Sequence, residues 1–249
     1  MSAQTLVAAP TPVGVRPPRR AWRWSQHWRD LLFAHWPVPA AALRRLVPDC
    51  LDIDTHDGVA WVSAVAFRLE RVRFRWSPPL AFCSSFAELN LRTYVRHRGE
   101  AAIYFLSIHA GRRTGVALAR WFTPLPYQYA PIAYRRGPGA WRFECGRRGQ
   151  EALFAAEFQV EGEVGEASGA LDQFLLERYI AFASGRDGTL QRVAVEHAPW
   201  QVQPVSGRVR AEALGQPWTL SLGDQPDRLH FAAGVVARVW PFQALAVDV

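Results

Sequence analysis

The clearest pattern along the chain is alternation. From Glu88 to Arg96, within FAELNLRTYVRH (86–97), Glu88, Asn90, Arg92, Tyr94 and Arg96 fall on one side and Leu89, Leu91, Thr93 and Val95 on the other. A strand of period two sorts its residues this way. LERVRFRW (69–76) alternates again, with Val72, Phe74 and Trp76 against Arg71, Arg73 and Arg75, and its arginine side reads most simply as a solvated face. LDIDTHDGVAWVSAVAF (51–67) predicts a hairpin turned at Asp57-Gly58. AAIYFLSI (101–108) is almost continuously apolar, which predicts a strand covered on both faces. VALARWF (116–122), AWRFEC (140–145), ALFAAEFQVEGEV (152–164), QRVAVEHAPW (191–200), PWTLSL (217–222) and RLHFAAGVVARVW (228–240) extend the strand series.

Helical signals are few. VPAAALRRLVP (38–48) has Pro39 suited to a first turn and Pro48 closing it. ALDQFLLERYIAFASG (170–185) is the strongest, with Leu171, Phe174, Leu175, Arg178 and Phe182 at helical spacing and Gly185 past the end. WRDLLFAHW (28–36) reads as an aromatic-rich packed segment. The pattern predicts an α+β, strand-dominated fold: a basic, Pro-rich flexible tail over 1–20, then one domain over 21–249.

Composition narrows the function classes. The formal charge is +7, but residues 1–29 carry five arginines and no acid, so the rest is nearly neutral. No basic block with interleaved aromatics marks a nucleic-acid footprint in the body. The chain contains no lysine; all 29 basic residues are Arg, which rules out a lysine Schiff base and a P-loop lysine. Cys50, Cys83 and Cys145 are odd in number and widely spaced, so they read as buried free thiols rather than a disulfide framework or a CxxC metal pair. No apolar run approaches a membrane span, and prolines interrupt the opening residues where a signal peptide needs an apolar core. The expectation is a cytoplasmic protein without a metal or cofactor. GxSxG, GxGxxG and HExxH are absent.

Several strings together are familiar. FAELNLRTYV, AIYFLSIHA, ARWFTPLPYQYA, FLLERYIAF and VEHAPW occur in that order, after DLLFAHWPVP and LVPDCLDID. This series, over roughly residues 22–242, resembles the YqjF-like family, a domain of unknown function within the acetoacetate decarboxylase-like superfamily. The resemblance implies a closed or barrel-like antiparallel sheet with a few helices around a polar pocket. In the decarboxylases that pocket holds a strand Glu and two lysines, one forming the Schiff base. Glu88 corresponds to that Glu, whereas Tyr127 and Gln128 stand where the lysines would be. Decarboxylation through an imine on a lysine is therefore excluded, whatever the fold.

Two readings of the Glu88 face remain side by side. Facing water, Glu88, Arg92 and Arg96 are ordinary cross-strand charges worth under about 1 kcal/mol per pair. Facing inward, Glu88 and Tyr127 become candidate acid–base groups, and Asn90, Arg92, Tyr94, Tyr104, Arg120, Gln128 and His197 candidate ligand-binding residues for a small carboxylate or carbonyl compound. His197 alternatively closes a strand before Ala-Pro, and Arg178 either neutralises a buried acid or extends from an apolar face. Enzyme, non-catalytic binding module and, least favoured, nucleic-acid-associated protein are the classes left open; a homo-oligomer is compatible with each.

Overall fold

A computed structural model describes residues 20–79, 85–146, 151–185, 187–223 and 225–245. The expected tail, apart from Arg20, and Cys83 lie outside the described residues. The chain begins with β1 (Trp24–Val38), α1 (Ala40–Arg44), the short β2 (Asp52–Ile53) and β3 (Thr55–His56), and the long β4 (Val59–Phe74), β5 (Ser85–His97) and β6 (Glu100–Ala110). Then come α2 (Arg113–Phe122), β7 (Tyr127–Tyr129), β8 (Ile132–Arg136), β9 (Trp141–Gly146) and β10 (Ala152–Val160). The last third holds β11 (Gly165–Glu166), α3 (Ala170–Leu176), β12 (Ile180–Ser184), β13 (Leu190–Glu196), β14 (Gln201–Arg210), α4 (Glu212–Gly215), β15 (Arg228–Val239) and β16 (Gln243–Ala244).

Seven strands close on themselves in the order β1-β4-β5-β6-β12-β13-β15, and β15 returns to β1. The resulting barrel is antiparallel at every joint except β6–β12, which is parallel. The tight turns have the predicted chemistry: Asp57 and Gly58 both take positive φ, as do Arg98 and Gly99 between β5 and β6. From β15 the sheet continues through β14, β10, β9 and β8. This extension folds over the outer face of β1, β4 and β5, where Leu32, Ala64, Leu89 and Leu91 pack in one core with Phe143, Phe154 and Phe158. Both faces of β5 and β6 are therefore covered, as the apolar run 101–108 predicts.

Other expectations are corrected. VALARWF lies in helix α2 rather than in a strand, because Gly115, Leu118, Ala119 and Phe122 recur at helical spacing and cover the barrel cavity. The helix expected over 170–185 stops at Leu176, and Ile180–Ser184 joins the barrel between β6 and β13. Tertiary pairing of β-branched and aromatic residues there outweighs the helical period. PWTLSL forms a 3₁₀ turn over Gln216–Trp218 and no strand; Leu220 and Leu222 are buried by packing alone. The segment 28–36 lies within β1. Trp76 is 88% exposed, since a turn bonding Ser77 N–H to Phe74 O ends the alternation after Phe74. Cys50 is exposed, while Cys145 is buried and its thiol is pushed up to about 12, leaving it unreactive.

Candidate functional site

Strand register stacks the inward side chains of the barrel in layers. The β4–β5 ladder pairs Leu69 with Phe86, Phe67 with Glu88, Val65 with Asn90 and Ser63 with Arg92. On the other side of β5, Glu88 faces Ala110, Asn90 faces Ile108 and Arg92 faces Phe105. Leu106 is an extra residue in β6 at this point, a bulge that keeps Ile103, Phe105 and Ile108 turned inward.

These layers surround a cavity of about 180 Å³. Trp24, Phe74, Phe86 and Phe242 line its outer end together with the inner face of α2. Helix α2 approaches closely because Gly115 has no side chain: a Cβ there would come within 2.9 Å of the Phe86 ring. Deeper in, Trp28, Phe33, Phe67, Val193 and Trp200 form apolar walls. Leu176, at the end of α3, also borders the cavity.

Against this apolar shell, β5 contributes a polar ladder. Glu88, Asn90 and Arg92 all line the cavity and are 3%, 8% and 9% exposed. Asn90 and Tyr127 hydrogen-bond the Glu88 carboxyl through their side chains. Burial raises the Glu88 carboxyl to about 8, and these two hydrogen bonds only partly oppose the rise. Burial and the neighbouring Glu88 push the Tyr127 hydroxyl well above its ordinary value. Arg92 donates from Nη2 to Leu175 O at 3.1 Å and lies 5.8 Å from the Phe33 ring centre. Arg92 has no carboxylate partner among the described residues. Glu88 Oε2, Asn90 Oδ1 and Arg92 Nε are all buried without a hydrogen-bond partner among those residues.

His197 lines the cavity too, packed between Tyr179 and Trp200 at ring distances of 4.8 and 4.6 Å. Its Nδ1–H donates to Ala198 O at 2.7 Å, which leaves Nε2 as the basic nitrogen. Burial lowers it to about 4, so the ring is neutral at physiological pH.

The structure thus gathers Glu88, Asn90, Arg92, Tyr127 and His197 around one cavity. Tyr94 lies beneath it, fully buried, with its hydroxyl bonded to Ser63 Oγ at 2.5 Å and donating to Leu175 O at 2.8 Å. Tyr104, Arg120 and Gln128 do not line the cavity. Tyr104 points away from it to Ser184 Oγ at 3.1 Å. Arg120 is exposed and donates from Nε to Tyr127 O at 2.8 Å. Gln128 follows Tyr127 on β7, where alternation turns it to the other face. Arg96 is exposed.

Two features of the site escaped the sequence reading. The α2 face was legible in the helical spacing of Gly115, Leu118, Ala119 and Phe122. The other is a buried chain in which His35 Nδ1 meets Ser63 Oγ at 2.6 Å and Ser63 meets Tyr94; only the β1–β4–β5 register reveals it. Arg178 also borders the cavity, but its Nη1 bonds Asp54 Oδ2 at 2.8 Å. Among the described residues no group of three or more His, Cys, Asp or Glu is arranged to hold a metal ion.

Residues 25–236 match the model of the family DUF2071, described as an uncharacterized conserved protein. The chain belongs to this family. It is 34% identical to the uncharacterized protein YqjF of Bacillus subtilis strain 168 over 228 residues, 91% of this chain and 94% of that one. The fold of this DUF2071 member is that of acetoacetate decarboxylase. The crystal structure of the Legionella pneumophila decarboxylase superposes with a TM-score of 0.65 at 13% identity, covering 100% of this chain and 99% of the other. The enduracididine biosynthesis enzyme MppR, solved with pyruvate, gives 0.61 at 13% identity, over 94% and 92% of the two chains. Among the described residues no helix is long and apolar enough to cross a membrane.

Proposed function

We propose that the barrel cavity binds a small carboxylate or carbonyl compound and that Glu88, with Tyr127 beside it, exchanges protons with that ligand without any imine. One observation carries the reading: three successive inward side chains of β5, Glu88, Asn90 and Arg92, each keep a buried polar atom with no hydrogen-bond partner among the described residues. Buried polar groups are ordinarily satisfied, so a ladder of three in a cavity wall is suited to a polar ligand. Arg92 supplies positive charge with no carboxylate among the described residues to neutralise it, the chemistry that holds an anion. Below pH 8 the Glu88 carboxyl is protonated, so it donates to a carbonyl or enolate oxygen instead of repelling a carboxylate. Above that pH it becomes an acceptor for a proton α to a carbonyl. Enolisation, hydration–dehydration and aldol-type steps all fit such a group. The binding of pyruvate by MppR, a protein of the same fold, agrees with a ligand of this kind.

The alternative is a non-catalytic binding module on the same site. Incubating the protein with pyruvate or acetoacetate in D₂O and following deuterium at the α-carbon by NMR separates the two. In an enzyme, wild type exchanges the α-proton at least tenfold faster than Glu88→Gln, while calorimetry shows that both bind. A binding module binds without exchange above the buffer rate. In either case Arg92→Met weakens binding by roughly 10-fold or more, the loss of about one charge-assisted hydrogen bond. A wild-type protein that binds no small keto or hydroxy acid defeats the proposal.

A further inference from the structure

The cavity is larger and more one-sidedly apolar than a three- or four-carbon keto acid needs. It leaves about 180 Å³ for the centres of water-sized groups. At roughly 10–15 Å³ for each, there is room for on the order of a dozen non-hydrogen atoms, about twice the size of pyruvate. Its polar groups are also unevenly placed. The unpartnered atoms of Glu88, Asn90 and Arg92 occupy a single wall in the inner half. The layers outside Glu88 are formed by Leu69 and Phe86, then by Trp24, Phe74 and the Leu118 and Phe122 side chains of α2. The strand separation from Glu88 to Arg92 is roughly 13 Å at ~3.3 Å per residue, and the apolar layers extend beyond it.

We infer that the ligand is an amphipathic monocarboxylate of about eight to ten carbons, its carboxylate held within the Glu88–Asn90–Arg92 ladder with Arg92 supplying the positive charge, and its aliphatic or aromatic body running past Phe67 and Phe86 toward α2. This rests on the reading of Glu88 and Arg92 as a ligand site and adds the class of molecule. A ligand ending at the polar ladder would leave the outer half of the cavity lined by aromatic rings with nothing apolar against them. A wholly apolar ligand would leave the three β5 atoms and the Arg92 charge unsatisfied. A molecule with one anionic end and one apolar body gives the Arg92 guanidinium an anion and the aromatic layers an apolar surface. The neutral state of Glu88 below pH 8 removes the charge that would oppose an anion passing it.

Isothermal titration of the full chain at pH 7 with butanoate, hexanoate, octanoate and decanoate, alongside pyruvate and the uncharged octanamide, tests this. Burial of each added methylene is expected to tighten binding up to about fourfold, the equivalent of about 0.8 kcal/mol. Octanoate should then bind at least 30-fold more tightly than butanoate and at least tenfold more tightly than octanamide. Leu118→Glu, which places a carboxylate on the path of the tail, should weaken octanoate at least tenfold while changing pyruvate less than threefold. If Leu118→Glu does not fold, the wild-type series decides alone. Affinity that is flat or falls with chain length overturns the amphipathic ligand and leaves the small-acid reading standing. Octanamide equal to octanoate overturns the anion site and with it both proposals. Failure of every carboxylate to bind does the same.

Discussion

Two arginines reach the inner end of the barrel, and the protein treats them in opposite ways. Arg178 is fully answered: its Nη1 bonds Asp54 Oδ2 at 2.8 Å, its Nε donates to Phe174 O at 2.8 Å, and Arg96 Nε holds the other Asp54 oxygen at 2.7 Å. Arg92 is equally buried yet, among the described residues, meets only one carbonyl, Leu175 O, with Nε left without a partner there. Both guanidiniums lie near aromatic rings, Arg178 at 4.3 Å from Phe174 and Arg92 at 5.8 Å from Phe33. The difference is the carboxylate. A buried ion pair with its hydrogen bonds complete is a fixed part of the fold, whereas a buried cation lacking an anion is an open valence. Glu88 does not supply the anion, because burial keeps it protonated up to about pH 8.

The difference between the two arginines is lost most severely at Asp54. Asp54→Ala leaves Arg178 buried and unpaired, and urea denaturation should show a loss of about 3–5 kcal/mol. The next effect is smaller and depends on pH. Glu88 binds its proton more tightly folded than unfolded, so its contribution is fully present below pH 4.5 and is lost as pH rises to about 8. Glu88→Gln should therefore flatten the fall in stability between those limits and exceed wild type by on the order of 2 kcal/mol at pH 8.5, read from denaturation at a series of pH values. His197 and His35 slope the other way: burial lowers both, so their contribution is present above 6.5 and is lost as pH falls. They should dominate the acid limb in wild type and variant alike. The smallest effect is at Arg96, whose side chain is 46% exposed. Arg96→Ala should cost under about 1 kcal/mol, because Asp54 keeps Arg178 and the exposed charge is screened. A loss at Arg96 as large as at Asp54 would mean that the two arginines share the carboxylate equally.

The course of residues 86–97 shows how much was legible. Alternation alone sorts Glu88, Asn90, Arg92 and Tyr94 from Leu89, Leu91, Thr93 and Val95, and the apolar run 101–108 announces a neighbour covered twice. That pattern does not decide which face points inward, because both faces of β5 are buried: one in the barrel, the other under the β8–β9–β10–β14 layer. Local pattern carries no information about a sheet that folds back from residues 132–210. Arg96 shows the limit from the other side. It continues the same alternating face, yet it lies past the barrel's end and reaches Asp54 at the rim.

By itself the sequence determined the strand-rich class, the hairpin chemistry at Asp57-Gly58, the spacing of the polar ladder and the absence of any lysine. These follow from side-chain period, backbone preference and composition, which act locally. Tertiary structure decided which strands close the ring, that 116–122 is a helix and 180–184 a strand, and that among the described residues Arg178 has an anion while Arg92 has none. Those outcomes depend on distant partners: Arg178 and Asp54 are 124 positions apart, and the Trp24–Val239 pair that closes the ring joins residues 215 apart. Only the closed barrel, by excluding water from both guanidiniums, makes the difference between them matter.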